Sequence, residues 1–318
     1  MKILFAGTPE IAVPSLRALA DGKFPVTAVL TAPDAPSGRK RVLTPPPVKT
    51  LANQLGIPVL QPVRLDGAAR EAVASTDPEL LVVMAYGKIF GPRFLDLFPR
   101  GGVNVHPSLL PRHRGPSPIP AAILAGDTVT GITIQQLALE VDAGDILAQR
   151  EIPLAPDATT PSLEREMADL GAALLVDVVS RIADGRERAY SQNPEQATWC
   201  RLLRKEDGLI TWNEKAVEIE RMIRAYMPWP GVRCGWNNTV LHLLHASVVS
   251  ADVETDPVVS GKSPGTVLGV DNRAGILVKT VDGVLAVSRL KLQARKEMDF
   301  RSFLNGNSSI IGSVLEQA

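Results

Sequence analysis

The chain has 318 residues, 45% of them hydrophobic and 21% charged, with Lys+Arg and Asp+Glu balanced at 34 each. That composition reads as globular, long enough for two domains, and it excludes a polycation that grips nucleic acid through bulk charge, so any such contact has to come from local patches. The longest apolar run near a strand, Leu80 to Tyr86, is far short of the roughly 20 residues a membrane span needs.

Met1 to Ala6 enters an apolar strand with no charged leader or Arg-rich presequence ahead of it, so a cytoplasmic protein is expected. Cys200 and Cys234 are far apart and lack the close spacing of zinc or redox motifs. Lys2 to Phe5 reads as a buried strand, Gly7-Thr8-Pro9 as a tight turn and Glu10 to Ala20 as a helix that tolerates Pro14 near its start. This opening invites a dinucleotide site, but Gly7 stands alone where that fingerprint needs three glycines. Val26 to Thr31 is a second strand. Helices follow at Val48 to Leu55 and Gly67 to Ala74, with strands at Val59-Leu60 and Leu80 to Ala85. Such alternation predicts an α/β, Rossmann-like parallel sheet with helices on both faces.

Between the second strand and its helix, Ala32 to Pro47 is longer than most such connections and carries Arg39, Lys40 and Arg41 behind Gly38. A basic triplet on a loop is most often solvated; its functional reading is a phosphate clamp.

At Gly102 to Val105 a short apolar strand runs into Asn104 and His106, two residues apart and therefore on one face, followed by a Pro-interrupted loop. Gly131 to Leu137 is another strand-like run, leading to Leu139-Glu140-Val141-Asp142-Ala143-Gly144-Asp145. Ligands of open α/β sheets bind outside the carboxyl ends of the strands, so these two loops are expected to converge there. An amide, an imidazole and a carboxylate make a set suited to acyl transfer.

Pro118 to Ala125 reads as a short helix. Thr160 to Ala183 is a longer one with Pro161 in its first turn and a core-facing stripe of Leu163, Met167, Leu170, Leu174 and Val178. From Arg186 to Glu206 the periodicity fails, as in an interdomain connector. After a helix at Lys215 to Tyr226 and the bend Pro228-Trp229-Pro230-Gly231, short strands dominate: Val232 to Trp236, Val240 to Val249, Gly265 to Val270, Ile276 to Val281 and Val284 to Leu292. Hairpin signals separate several of them, and five such strands predict a small barrel of the oligonucleotide-binding (OB) type. His242 and His245 are read as packing or surface residues rather than metal ligands. Arg289, Lys291, Arg295 and Lys296 form a patch that fits a phosphate backbone and a solvated strand edge equally well.

Taken together, Asn104-x-His106-x-Ser108-Leu109-Leu110-Pro111 with Asp142 downstream resembles the active site of the tetrahydrofolate-dependent formyltransferases. The resemblance extends over Phe5 to Pro9, Ala85-Tyr86-Gly87, the Pro228-Trp229-Pro230 bend and the terminal barrel, and is strongest to those members that formylate initiator methionyl-tRNA. It implies a formyltransferase domain at 1–188, a linker at 189–206 and an OB-like tRNA-binding domain at 207–318. It implies Asn104, His106 and Asp142 as the catalytic trio, and Ser108, Leu109, Leu110, Pro111, Glu140 and Val141 against the folate. Arg39, Lys40 and Arg41 fall on the acceptor-stem region. The formyl donor would be 10-formyltetrahydrofolate, with no metal, in a monomer of the bacterial cytoplasm. The rivals are formyl transfer to an amino sugar nucleotide or glycinamide ribonucleotide, a nucleotide-dependent oxidoreductase, and a non-catalytic RNA-binding protein.

Overall fold

A computed structural model describes residues 1–38, 41–249 and 261–318; Arg39 and Lys40 lie outside the described residues. The chain forms two compact units. The first comprises Met1–Pro118, Thr128–Leu154 and Ser162–Arg201, the second Ile119–Asp127, Ala155–Pro161 and Leu202–Ala318.

In the first unit, β1 (Ile3–Gly7), β2 (Val26–Leu30), β5 (Val59–Leu60), β6 (Leu80–Met84), β7 (Gly102–His106), β8 (Val129–Gln136) and β9 (Ile146–Pro153) form one sheet in the order β5-β2-β1-β6-β7-β8-β9. Every residue of β1 and β6 is buried, as continuous apolar runs demand when both sheet faces are covered. On one face Leu4, Ala6, Leu81 and Val83 pack with Val73 of α3 (Gly67–Ala74), with Phe94 of α4 (Pro92–Leu95), and with Tyr86, Phe90 and Phe98. On the other, Ser15 of α1 (Val13–Ala20) donates to Met84 Sδ at 3.2 Å, and Gly171 of α6 (Thr160–Ala183) lets that helix close on Val105 and Ile132. The buried seam of α6 runs through Leu163, Met167, Gly171, Leu175 and Val178, with Leu170 and Leu174 only half-buried at its flank. Gly7 lacks a side chain for a concrete reason: a Cβ there would lie 2.8–2.9 Å from Phe5, Ala12 and the Met84 carbonyl.

Strands β5 to β7 are parallel, as the alternation predicts, whereas β8 and β9 run antiparallel. The register pairs His106 with Thr133 and Val103 with Gln136, so β8 ends at the amino end of β7, away from its carboxyl end. The two loops therefore do not leave from one end of the sheet, contrary to expectation, and they meet only because 137–145 doubles back to bring Asp142 to the Gly115 amide. The segment between β7 and β8 does contain a helix, α5 (Pro118–Ala125), but Ile119–Asp127 clusters with the second unit, so α5 is not a crossover helix returning the chain to a parallel strand.

The long basic connection also has structure of its own. Ala35–Ser37 (β3) pairs antiparallel with Val42–Thr44 (β4), and all six residues are exposed. Lys49 Nζ, from α2 (Pro47–Gln54), binds both Asp34 carboxylate oxygens at 2.8 Å across the base of this hairpin, and Gln61 Nε2 adds a third hydrogen bond at 2.8 Å. The Gln61 and Lys49 bonds hold the Asp34 carboxyl below its ordinary range.

The second unit holds an antiparallel sheet ordered β10 (Val232–Trp236), β11 (Thr239–Val248), β14 (Val284–Leu292), β13 (Gly275–Lys279), β12 (Val267–Asp271), with β15 (Met298–Asp299) paired to β14. Helix α7 (Ala216–Ala225) buries Ile219 and Ile223, and α8 (Phe300–Gly306) sets Phe303 against Trp236 with ring centroids 5.9 Å apart. The two edge strands are joined by the tail: Gly235 bridges to Glu316 and Thr266 to Val314, so the sheet closes on itself through residues 313–316. His242 is half-buried between Arg233 and Lys291 in register, where burial and those two charges hold its pKa down. Exposed His245 contacts Ser288 Oγ at 2.6 Å, and Arg289 of the basic patch is paired with Glu297 at 2.5 Å.

Candidate active site

Asn104 and His106 share the face of β7 that carries Val83 on one neighbour and Gln135 on the other. Asp142 arrives from the opposite direction. The 137–145 loop doubles back over the end of β8, with Gln136 N donating to Asp145 O at 2.8 Å, and Asp142 itself adopts a left-handed φ of 53°. Its Oδ1 accepts from Gln135 Nε2 at 2.8 Å and Asn104 Nδ2 at 3.3 Å and lies 3.6 Å from His106 Nδ1; its Oδ2 accepts the Gly115 amide at 2.8 Å. Thus one nearly buried carboxylate gathers the amide and the imidazole.

The His106 ring is 4% exposed, and its Nε2 lies 3.0 Å from the His113 carbonyl. A carbonyl can only accept, so Nε2 carries a hydrogen toward His113, and Nδ1 is the nitrogen turned to Asp142. Asn104 has a second N–H beyond the one given to Asp142, available to an incoming oxygen.

The following loop divides in two. Ser108 and Leu110 are buried, and the Ser108 hydroxyl donates to Arg112 O at 2.7 Å. Thr133 Oγ1 donates to Ser108 O at 2.7 Å and accepts the Leu110 amide at 3.1 Å, so both residues are occupied in pinning the loop to β8. Leu109 and Pro111 are half-buried beside them. Glu140 is largely exposed while pairing with Arg114 at 3.4 Å, and Leu139 and Val141 stand exposed on the Asp142 loop. Arg41 lies exposed at the hairpin turn with φ 50°.

Several residues around the trio carry no sequence motif. Gln135 is 2% exposed near the carboxyl end of β8, beside exposed Gln136, and it is the burial of this amide that singles it out. Arg114 is 5% exposed, and Gly115 has φ 113° and approaches the Cys200 carbonyl so closely that a Cβ would lie 2.2 Å from it. An open groove of about 480 Å³ lies elsewhere, between β5 and α3, lined by residues including Gln61, Arg64 and Asp66. Among the described residues no group of three His, Cys, Asp or Glu side chains could hold a metal, and no helix is long and apolar enough to cross a membrane.

Residues 1–179 match the family model for formyl transferase and residues 202–308 that for the formyl transferase C-terminal domain. The chain is 45% identical to a methionyl-tRNA formyltransferase of Treponema denticola over 98% of both chains, and 42% identical to one of Chloroflexus aggregans over 96% of this chain and 97% of that one. Among solved structures it resembles HypX from Aquifex aeolicus in complex with tetrahydrofolic acid (TM-score 0.64, 17% identity, 96% of this chain, 47% of that one). It also resembles WlaRD, a sugar 3N-formyl transferase (TM-score 0.65, 15% identity, 93% of this chain, 99% of that one), and these two likenesses speak to the fold alone. With two domain models in order and relatives of this identity along nearly its whole length, the chain belongs to the methionyl-tRNA formyltransferase family.

Proposed function

We propose that the chain transfers the formyl group of 10-formyltetrahydrofolate to the α-amino group of initiator methionyl-tRNA, in the bacterial cytoplasm and as a monomer. The observation that carries this is the convergence of Asn104, His106 and Asp142 on a single carboxylate-centred cluster. The donor site fits an amphipathic ring system. Leu139 and Val141 stand exposed and apolar on the loop that carries Asp142, and Glu140, between them in sequence, pairs with Arg114.

When bound, the folate supplies an activated formyl carbon on nitrogen. The chain's part is to hold charge and protons. Asn104 Nδ2 donates to the formyl oxygen as negative charge gathers there, and loss of such a donor typically costs about 10² to 10³ in rate. As the amine nitrogen bonds to the formyl carbon, His106 Nδ1 takes its proton and Asp142 stabilises the resulting imidazolium; the proton then passes to the folate nitrogen as its bond to the formyl carbon breaks, releasing tetrahydrofolate. Ser108, Leu109, Leu110 and Pro111 form the folate-side wall. Leu109 and Pro111 contribute surface, and Ser108 and Leu110 hold the wall in place through Thr133. Arg39, Lys40 and Arg41 serve the tRNA acceptor stem, and the hairpin that carries Arg41 has its base locked by Asp34 and Lys49. Residues 1–188 act as the catalytic domain and 207–318, after the linker, as the tRNA-binding domain.

The test is incubation with 10-formyltetrahydrofolate and charged initiator tRNA, scored against uncharged tRNA, elongator methionyl-tRNA and a nucleotide-linked amino sugar. Formylation of initiator methionyl-tRNA alone is expected. Transfer to the amino sugar instead would replace the acceptor, and no transfer to any acceptor would end the reading.

A further inference from the structure

Residues 190–200 lie along both loops of the site. Tyr190 and Ile146 exchange backbone hydrogen bonds at 2.9 and 3.1 Å, and Ser191 Oγ donates to Asp145 at 2.9 Å. At the other loop Arg114 N donates to Thr198 O and Cys200 N to Arg114 O, both at 2.8 Å, while Thr198 Oγ1 accepts the His113 amide at 2.8 Å. Between these anchorages sits Gln192. Its Oε1 accepts from Arg114 Nε and a terminal guanidinium nitrogen at 3.1 and 2.8 Å. Its Nε2 faces the carbonyls of Asp142 (2.9 Å) and Gly144 (2.7 Å) and Gln135 Oε1 (3.3 Å).

We propose that Gln192 is a positioning residue for formyl transfer, the middle of an Arg114–Gln192–Gln135 relay that fixes the orientation of the Gln192 and Gln135 amides beside Asp142. The inference rests on the function proposed above. Its logic is one of donor and acceptor sense. Arginine can only donate, so Gln192 must turn its oxygen to Arg114 and its amino group to Gln135. Gln135 must then turn its oxygen to Gln192 and its amino group to Asp142 Oδ1, where it arrives at 2.8 Å. No member can flip without placing like against like. Gln192 also holds the loop itself through the Asp142 and Gly144 carbonyls. That hold matters because Asp142 adopts a left-handed φ of 53°, a conformation that favours glycine.

The decisive variant is Gln192→Glu, which keeps two acceptor oxygens for Arg114 but has no donor for Gln135 or the loop carbonyls; Gln192→Met, of similar shape with neither function, is the companion. For both, kcat for formyl transfer is expected to fall about 10- to 100-fold, the scale of an ångström-sized misplacement of a reacting group. KM for the folate and the tRNA should stay within about threefold, because no substrate contact is removed. Hydrogen exchange in peptides covering 137–146 should accelerate. Wild-type kcat with unchanged exchange in both variants would overturn the relay. A matched rise in KM at constant kcat would overturn it equally, making Gln192 a substrate contact. An inert wild type would instead sink the proposed function, and the exchange measurement would still decide whether Gln192 holds the loop.

Discussion

Asp142→Asn is the substitution for which the structure makes the sharpest demand. The side chain keeps its shape but exchanges two accepting oxygens for one oxygen and one amino group. If the amide oxygen stays with Gln135 and Asn104, the amino group faces the buried Gly115 N–H; if it turns to Gly115, the amino group faces Gln135 Nε2. A compensating flip of Gln135 would set its amino group against that of Gln192. One buried donor is left unpaired in every arrangement, at a cost of about 1–3 kcal/mol. For a unit of this size that lowers the melting temperature by roughly 2–12 °C. The protein remains folded at 25 °C, since natural domains hold about 5–15 kcal/mol. Turnover at that temperature therefore reads the chemical role: the loss of the imidazole's partner should cost about 10² to 10⁴ in kcat, the range of general acid–base catalysis. Single-turnover formylation with saturating donor, beside calorimetry of the same preparation, provides both numbers. A variant that melts with the wild type and turns over within about tenfold of it would refute the electrostatic arrangement described here.

Other perturbations test other parts of the molecule. The Tyr86 hydroxyl is buried without a hydrogen-bond partner, and burial pushes its pKa up to about 12. Its share of the stability is thus complete below the unfolded value near 10 and lost as pH rises toward 12. Tyr86→Phe should match or exceed wild-type stability at pH 7 and show a smaller decline between pH 10 and 12, read from urea midpoints; a destabilised variant at neutral pH would contradict this. Leu315 is 3% exposed in the tail that joins the two barrel edges, so Leu315→Ala should cost about 2–5 kcal/mol and raise hydrogen exchange in β10 and β12. Unaltered exchange there would mean the tail does not hold the edges. Arg41→Ala should weaken tRNA binding and reduce the slope of log affinity against log salt by about 1, with kcat at saturating tRNA preserved; an unchanged slope would remove Arg41 from the interface.

Local order was legible in the sequence wherever it is written locally. Helices α3, α5 and α6 and strands β10 and β14 have the bounds that periodicity and capping indicate, α3 because Asp66 accepts the Ala69 amide and closes its first turn. Asn104 and His106 follow from the two-residue repeat of a strand. The direction of β8 does not, because an apolar strand looks the same read either way and the intervening helix suggested a crossover. The hairpin β3–β4 was hidden by its prolines and exposure, which leave no alternating pattern. In α6 the drift of a 3.6-residue turn moved the buried line from Leu170 and Leu174 to Gly171 and Leu175. The relay through Arg114, Gln192 and Gln135 joins positions up to 78 residues apart and consists of ordinary polar residues, so nothing short of the tertiary fold reveals it.

One side chain beside that relay makes the site readable by light. Of the four tryptophans, at positions 199, 212, 229 and 236, only Trp199 belongs to the first unit. Its indole is 57% exposed, with the Arg114 guanidinium 5.5 Å from the ring centre. Replacing the other three with phenylalanine would leave a single emitter against the arginine that the proposed relay links to the Asp142 carboxylate. Its intensity and wavelength would then follow occupancy and loop rearrangement without any label.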